Sequence, residues 1–406
     1  MLWHMAWRNV WRNRVRSLVI ATAIAFGLVG GVFSYAFMMG LVNQAVRNAV
    51  RTELGSFQVH NPEYPADRDL RFMVDDTAAL LTELRGLPGV VGASARIVGT
   101  AMLSSAEGTA AVRIAGVDAA RDGDISNLAE ELIEGQYLNP DERIPILISR
   151  EMADDLEVKL KSRVVASVVS PSGEIVYGAF RVVGIFKTVD SLFDKSSVFV
   201  TREDLAELTG FADNTASEII VRVEPRDAGD AVAARVVAAH PELLIRTWRD
   251  LSPQLQLAAD FGSIFGLVFL AIILTALGFG IVNTMLMVVM ERTREIGMLM
   301  ALGMARARVF WMLLYETAFL SMVGGVAGLA LSFVLLGYLG RTGINMQAWA
   351  EGFSAIGYDS MIYPETTVAF YFQVAGMVLV TAFLASIYPA RRALKLLPAE
   401  AIRSDT

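Results

Sequence analysis

Residues 17–46, 261–290 and 366–390 contain no Asp, Glu, Lys or Arg, and 309–340 contains a single one, Glu316. A helix needs about 20 apolar residues to cross a hydrocarbon core of roughly 30 Å. Each Asp, Lys or Arg at the middle of such a helix costs about 2.5–3.5 kcal/mol on insertion scales. A chain that keeps charge out of four such lengths is made to thread a bilayer four times. The composition agrees, since 54% of its residues are hydrophobic, against about 45–50% in soluble domains.

Cations set the orientation. Arg8, Arg12, Arg14 and Arg16 precede the first span. Arg292, Arg294, Arg306 and Arg308 lie between the second and third, and Arg391, Arg392, Lys395 and Arg403 follow the fourth. Four crossings bring all three clusters to one side, which the positive-inside rule makes cytoplasmic. Both termini, 1–16 and 391–406, are therefore expected in the cytoplasm, with 291–308 as a cytoplasmic link. Residues 47–260 and the loop 341–365 fall outside. The long outer segment carries 22 Lys and Arg against 34 Asp and Glu, so the net charge of −7 hides a basic inner rim and an acidic outer domain. That acidity argues against nucleic acid as a partner. With no cysteine in the chain, disulfides, thiolate metal sites and a lipid anchor on Cys are excluded. The first apolar run far exceeds the roughly 7–15 residues of a signal-peptide core, which predicts an uncleaved anchor.

Ahead of that anchor, Trp3, Trp7 and Trp11 recur every four residues on one helical face, with Arg8, Arg12 and Arg16 on another. The pattern predicts an interfacial helix over 1–16, indoles at headgroup level and guanidinium groups toward water and anionic lipid. Packing of the indoles on sibling helices is compatible with it.

The outer segment alternates. Residues 56–60 read as a strand, 75–84 as a helix and 90–98 as a strand; 218–223, 227–239 and 243–248 repeat that order. Two such β-α-β halves form a ferredoxin-like split sheet. Between them, 110–115, 144–148, 164–169, 180–186 and 197–200 read as short strands, with 174–177 leaving a turn at Pro171-Ser172-Gly173. The fold class is thus a four-span α-helical membrane protein with a large α+β outer domain between spans one and two. That domain carries a β-rich insertion at about 105–205. Small residues spaced four apart, at Gly27/Gly31, Gly262/Gly266, Ala276/Gly280 and Gly324/Gly328, let helix backbones approach closely and favour a packed bundle.

Several chemistries are missing. No Lys follows a Gly, so no phosphate-binding Gly-Lys loop exists, and neither a His-Glu-x-x-His helix nor a Gly-x-Ser-x-Gly elbow is present. The chain is expected to be no enzyme and to bind no cofactor or metal itself. Asp122-Gly123-Asp124-Ile125-Ser126-Asn127 resembles part of a calcium loop without its distal Glu, and reads as a solvated turn.

The link 291–306 is the informative stretch. Ile296, Leu299 and Met300 share one helical face, Arg292 and Glu295 another, and Gly303 supplies a stop where the chain turns back into the membrane. A short charged helix at the membrane surface suits capture by a cytosolic protein. Its Arg294-Glu295-Ile296-Gly297-Met298-Leu299-Met300-Ala301-Leu302-Gly303 resembles the Arg-Glu-x-Gly-x-x-x-Ala-x-Gly segment of FtsX-like ABC transporter permeases of the MacB, LolC and LolE type. Tyr388-Pro389-Ala390-Arg391-Arg392-Ala393, the later Pro398-Ala399-Glu400-Ala401-Ile402-Arg403 and the opening Ala6-Trp7-Arg8-Asn9-Val10-Trp11-Arg12-Asn13 are similar to that family too. Lys161-Ser162 stands where many members have Gly-Asp.

The resemblance implies a multi-pass protein of the bacterial inner membrane, its large domain periplasmic. It implies a homo- or heterodimer of permeases and a separate cytosolic ATPase that binds the ATP and Mg. Arg292, Arg294, Glu295, Gly297, Leu299, Ala301, Gly303 and Arg306 would form the ATPase-coupling segment. Glu316, an ionisable group inside span three, calls for a partner, either as a structural tie to the link and its arginines or as a relay of the ATPase stroke.

Three functions remain open. Lipoprotein release would pass acyl chains to a periplasmic carrier. Moving three chains of roughly 16 carbons into water at about 0.8 kcal/mol per CH₂ costs on the order of 40 kcal/mol, so a sheltered apolar path is required. Phe33, Phe37, Met38 and Met39 of span one, with Phe261, Ile264 and Phe265 of span two, are candidates to line it, or they simply face lipid and neighbouring helices. The alternatives are MacB-like pumping of periplasmic cargo through an adaptor, and FtsX-like switching of an extracytoplasmic hydrolase.

Overall fold

The computed structural model describes residues 2–64, 70–212, 214–349, 352–353 and 357–394. Lys395 and the 398–403 motif lie outside the described residues. The chain divides into two compact units, one of Met1–Val42, Ala259–Asn345 and Met361–Thr406, the other of Asn43–Ala258 and Met346–Ser360.

The first unit is helical. An amino-terminal helix (Leu2–Arg12) precedes span one (Arg14–Ala49), which ends in a π-helical turn, Val50–Leu54. Span two is Pro253–Glu291, the link helix Thr293–Ala301, span three Arg306–Thr342 and span four Val368–Leu394. Four of these helices are long and apolar enough to cross a membrane, as the sequence predicts. At 1.5 Å per residue the first three spans reach about 55 Å, well beyond a hydrocarbon core of roughly 30 Å.

Small residues set the helix crossings. A Cβ added to Gly324 would lie 2.8 Å from the Ala21 carbonyl oxygen, and one on Gly328 2.9 Å from Ala25 Cα, so spans three and one meet backbone to backbone. Gly27 and Gly31 receive Leu277 and Leu270 of span two, while Gly262 and Gly266 receive Val42 and Tyr35 of span one. Ala276 and Gly280 differ. Both are exposed, with nothing within 4 Å of the space a Gly280 side chain would take. Three of the four pairs therefore pack this bundle, and the fourth sits on an open face of span two. The amino-terminal helix packs on span three: Ala6 and Val10 are buried, and the Trp3 and Trp7 rings lie 4.4 and 5.3 Å from Phe319. The indoles pack on a sibling helix while keeping part of their surface exposed.

In the second unit, β1 (Phe57–His60), β2 (Val90–Ser104), β9 (Glu218–Val223) and β10 (Leu244–Thr247) pair in the order β10-β1-β9-β2, every neighbour antiparallel. Helices Thr77–Gly86 and Gly229–Ala239 cross between β1 and β2 and between β9 and β10. This is the split β-α-β arrangement expected from the two halves. Its core joins Leu80, Leu84, Val232 and Val236 to Phe57, Val59, Ile219 and Val221.

The insertion goes further than a set of short strands. β2, β3 (Thr109–Val117), β8 (Ser197–Thr201), β5 (Pro145–Ser149), β7 (Ile175–Phe186) and β6 (Arg163–Val169) pair in sequence, and β6 returns to β2, closing a six-stranded barrel. Closure removes exposed sheet edges; β4 (Leu132–Gly135) adds to β7 from outside the ring.

Three readings need correction. The stretches 174–177 and 180–186 form one strand, β7, because Gly178 gives way to Leu208 without interrupting the ladder: a Cβ there would lie 2.7 Å from Leu208 Cδ2. β2 does not stop at 98 but runs to Ser104, its first half laced to β9 and its second to β3. The run at Asp122 is no solvated turn. Asp122 is 1% exposed and accepts a 2.7 Å hydrogen bond from Arg96, itself 0% exposed on β2, together with bonds from the Ser126 and Tyr137 hydroxyls. A buried arginine must have a buried anion. Burial works against that charge, yet the Arg96 guanidinium and the two hydroxyls hold the Asp122 carboxyl below the usual carboxylate range. The Lys161 turn adopts φ +69°, the left-handed region that the family's glycine enters without a Cβ penalty.

Candidate functional site: the link between spans two and three and its ion pairs

The link folds as sequence dictates. Thr293–Ala301 is a helix that buries Ile296 and Gly297, and Ile296 joins Val289, Val309, Leu313, Leu314, Ala390 and Ala393 in one apolar cluster at the ends of spans two, three and four. Leu302 and Gly303 end it. Gly303 sits at φ +91°, its N–H donating to the Met300 carbonyl at 3.1 Å and the Met304 N–H to the Leu299 carbonyl at 3.0 Å. This is a Schellman cap, which needs a residue in the left-handed region and so favours glycine. Arg294, Met298, Ala301 and Leu302 are on the exposed face, and Arg306 is exposed where the span-three helix begins; Leu299 is half-buried. The link therefore exposes apolar Met298, Ala301 and Leu302 together with the cations Arg294 and Arg306.

Behind that face runs a chain of charges. Arg292 donates from Nε to Glu295 at 2.9 Å, and from Nη1 to both carboxylate oxygens of Glu316 at 3.1 and 3.2 Å. The Asn9 side chain also hydrogen-bonds Glu316. Glu295 accepts a second, two-pronged grip from Arg12 of the amino-terminal helix, and Glu291 accepts the same from Arg16. Hydrogen bonds from Arg12 and then Arg292 hold the Glu295 carboxyl below the usual carboxylate range. Glu316 thus has its partner. Breaking a buried pair by deleting one member costs about 3–5 kcal/mol, because a stranded charge remains.

Arg12, Arg16, Glu291 and Asn9 escaped the sequence reading, which turned these arginines toward water and lipid. The available signal was the pair of carboxylates, Glu291 and Glu295, within an otherwise basic link, but nothing in the sequence says that helix 2–12 folds back beside it.

The apolar candidates do not all meet. Phe33 packs into the bundle core and stacks on Phe37 at 6.0 Å. Met38 lies 4.0 Å from the space a Gly262 side chain would fill, which joins the outer ends of spans one and two. Met39 is half-buried. Phe261, Ile264 and Phe265 are exposed, the two rings 6.1 Å apart, so they face away from the core that holds Phe33.

The outer unit holds a cavity of about 740 Å³ lined by Arg113, Glu218, Glu53, His60 and Arg246, among others. Arg113 on β3 lies 3.2 Å from Glu53 of the π-helical turn and 3.5 Å from Glu218 on β9. Among the described residues, no group of three or more His, Cys, Asp or Glu side chains is placed to hold a metal ion.

Known proteins bear on this arrangement. Residues 21–239, more than half of the chain, match the MacB-like periplasmic core domain, and 267–398 match the FtsX-like permease C-terminal domain. LolC of Neisseria meningitidis, a lipoprotein-releasing system transmembrane protein, is 24% identical over 81% of this chain and 82% of its own. YknZ of Bacillus subtilis, an ABC transporter permease, is 28% identical over 64% of this chain and 61% of its own. The macrolide export ATP-binding/permease protein MacB of a Shewanella strain is 25% identical over 68% of this chain but 41% of its own length. The chain thus spans less than two thirds of the last two. With four apolar helices, a split-sheet outer domain carrying a β-barrel, and both family matches in the same order, the chain belongs to the FtsX-like permeases with a MacB-like periplasmic core, the ABC transporter permeases of the MacB and LolC type.

Proposed function

We propose that this chain is the inner-membrane subunit, with cytoplasmic termini, through which a separate cytosolic ATPase drives release of lipoproteins from the membrane to a periplasmic carrier. The observation that carries the ATPase reading is the link: a capped helix showing Arg294, Met298, Ala301 and Leu302 to solvent while Arg292 reaches back to Glu316. A partner that seats on this exposed face moves a helix already tied to span three. Substrate choice is supported by the match to LolC, which extends over most of both chains, whereas MacB has far more chain outside the match. In this reading two copies, or this chain and a related one, pair in the membrane. The exposed Phe261, Ile264 and Phe265 face lipid or the paired subunit, and on that open face they shelter acyl chains; Phe33, which packs against the bundle core, falls outside that face. Their soft, varied apolar surface suits chains of differing shape.

Purification of the chain with its ATPase from its own membranes tests both levels. Acylated protein in the complex, lost on addition of ATP and a periplasmic extract, is the expected result. An ATPase without acylated cargo refutes lipoprotein release and favours MacB-like export or hydrolase control. Absence of any ATPase refutes the whole reading.

A further inference from the structure

The geometry points to the amino-terminal helix as a third arm of the coupling assembly, with Arg12 as the positioning residue that holds the link in register with span three. This inference rests on the permease reading above and adds a part to it.

Four charges alternate in sign along one line: Arg12, Glu295, Arg292, Glu316. Their side-chain exposures fall from 60% through 38% and 17% to 8%, so the line runs from solvent into the helix packing. Each inner member is shared. Glu295 serves Arg12 and Arg292, and Arg292 serves Glu295 and Glu316. A displacement of Glu295 therefore redistributes Arg292 between its two carboxylates, and the outermost arginine influences the innermost glutamate without touching it. A lone exposed ion pair adds little to stability; one that feeds a buried pair alters what the buried pair does.

The helix that carries Arg12 is itself anchored. Ala6 and Val10 are buried, Trp3 and Trp7 lie on Phe319, three residues from Glu316, and the Ser17 hydroxyl donates to the Val10 carbonyl at 2.5 Å. Arg16 grips Glu291 at the end of span two at 2.6 Å. The amino-terminal helix thus touches span three by its aromatic face and the link by Arg12, while Arg16, at the start of span one, ties that span to the end of span two. Pushing the link moves all of them together.

The test uses the permease–ATPase complex in vesicles of phosphatidylethanolamine and phosphatidylglycerol. The readout is ATPase stimulation over the free ATPase, with copurification of the ATPase as control. Arg12→Gln and Glu295→Gln are each expected to lower stimulation about threefold, and the double variant to lower it no further than one of them. Arg12→Lys keeps most of it. Additive losses, or full stimulation in Arg12→Gln, overturn the inference while leaving the permease reading intact. A wild-type chain that holds no ATPase overturns both. Because the chain has no cysteine of its own, Arg12→Cys with Glu295→Cys gives a second measurement. Bridging the two thiols with a short cleavable bifunctional reagent replaces the lost ion pair by a covalent tie, so it is expected to recover stimulation that the unbridged double variant lacks, and cleaving the bridge to lose it again. Stimulation in the bridged complex no higher than in the unbridged one overturns the proposal even where Arg12→Gln fails to assemble.

Discussion

Two buried arginine–carboxylate pairs do opposite things in this molecule. Arg96–Asp122 in the outer unit is sealed at 0% and 1% exposure, its acid fenced by two hydroxyls. Arg292–Glu316 in the helical unit is the inner end of a line of charges that surfaces at Arg12. The first pair pins the loop after β3 to β2 and nothing outside reaches it. The second is open at one end. A closed pair is a staple; an open one can be addressed.

The largest effect tests the staple. Arg96→Met leaves the Asp122 carboxylate stranded, and a loss of about 3–5 kcal/mol in outer-unit stability is expected, read by hydrogen exchange over the barrel strands. Adding Asp122→Leu should recover most of it, since an apolar pair of similar volume replaces the ions. No recovery would mean that Asp122 matters for more than neutralising Arg96.

Next comes the open pair. Arg292→Ala should leave the chain membrane-inserted but abolish ATPase stimulation, and cost about 3 kcal/mol locally. Normal stimulation would remove the link from its assigned role. Gly303→Val is milder: forcing a β-branched residue to φ +91° should cost about 1–3 kcal/mol at the cap, with partial uncoupling and intact insertion. An unaffected variant would show that the cap's geometry is not part of the coupling.

A last effect, spread over several pH units, concerns a buried acid held by a hydroxyl and an amide. Asp194 is fully buried; burial pushes it up to about 7, against hydrogen bonds from the Thr188 hydroxyl and N–H, with Glu151 adding repulsion. A folded pKa above the unfolded one stabilises the protonated fold. That contribution is complete below the unfolded carboxylate range and is lost as pH rises through about 7. The segment from Thr188 to Ser196 should therefore show lower amide protection factors, with the intrinsic base-catalysed rate divided out, at pH 8 than at pH 5. The loss is on the order of 1 kcal/mol for each pH unit between about 4 and 7. Asp194→Asn should flatten that slope, and a variant that keeps it would place the titration elsewhere.

How much of this was written in the sequence depends on reach. Charge-free runs name the spans because hydrocarbon acts on every residue in them independently. Likewise the two β-α-β halves are local patterns, each readable within its own stretch. The barrel was not readable: β6 must return to β2 across some 60 residues, and no local feature of 163–169 specifies that partner. β2 itself was cut short because Gly99, Thr100 and Ala101 weaken the alternation that marks a strand. At the site, the Schellman glycine and the need of Glu316 for a partner were visible from residue chemistry. Arg12–Glu295 was not, since the partners lie 283 residues apart. An arginine advertises its charge and keeps its address to itself.

One strand has a mechanical consequence. β2 spends residues 90–96 in the split sheet and 97–104 in the barrel. Sliding one against the other would shear a single uninterrupted backbone and break ladder bonds on both sides of it together. A pull delivered to the split sheet therefore arrives at the barrel undiminished, as load travels through a continuous beam rather than across a bolted joint.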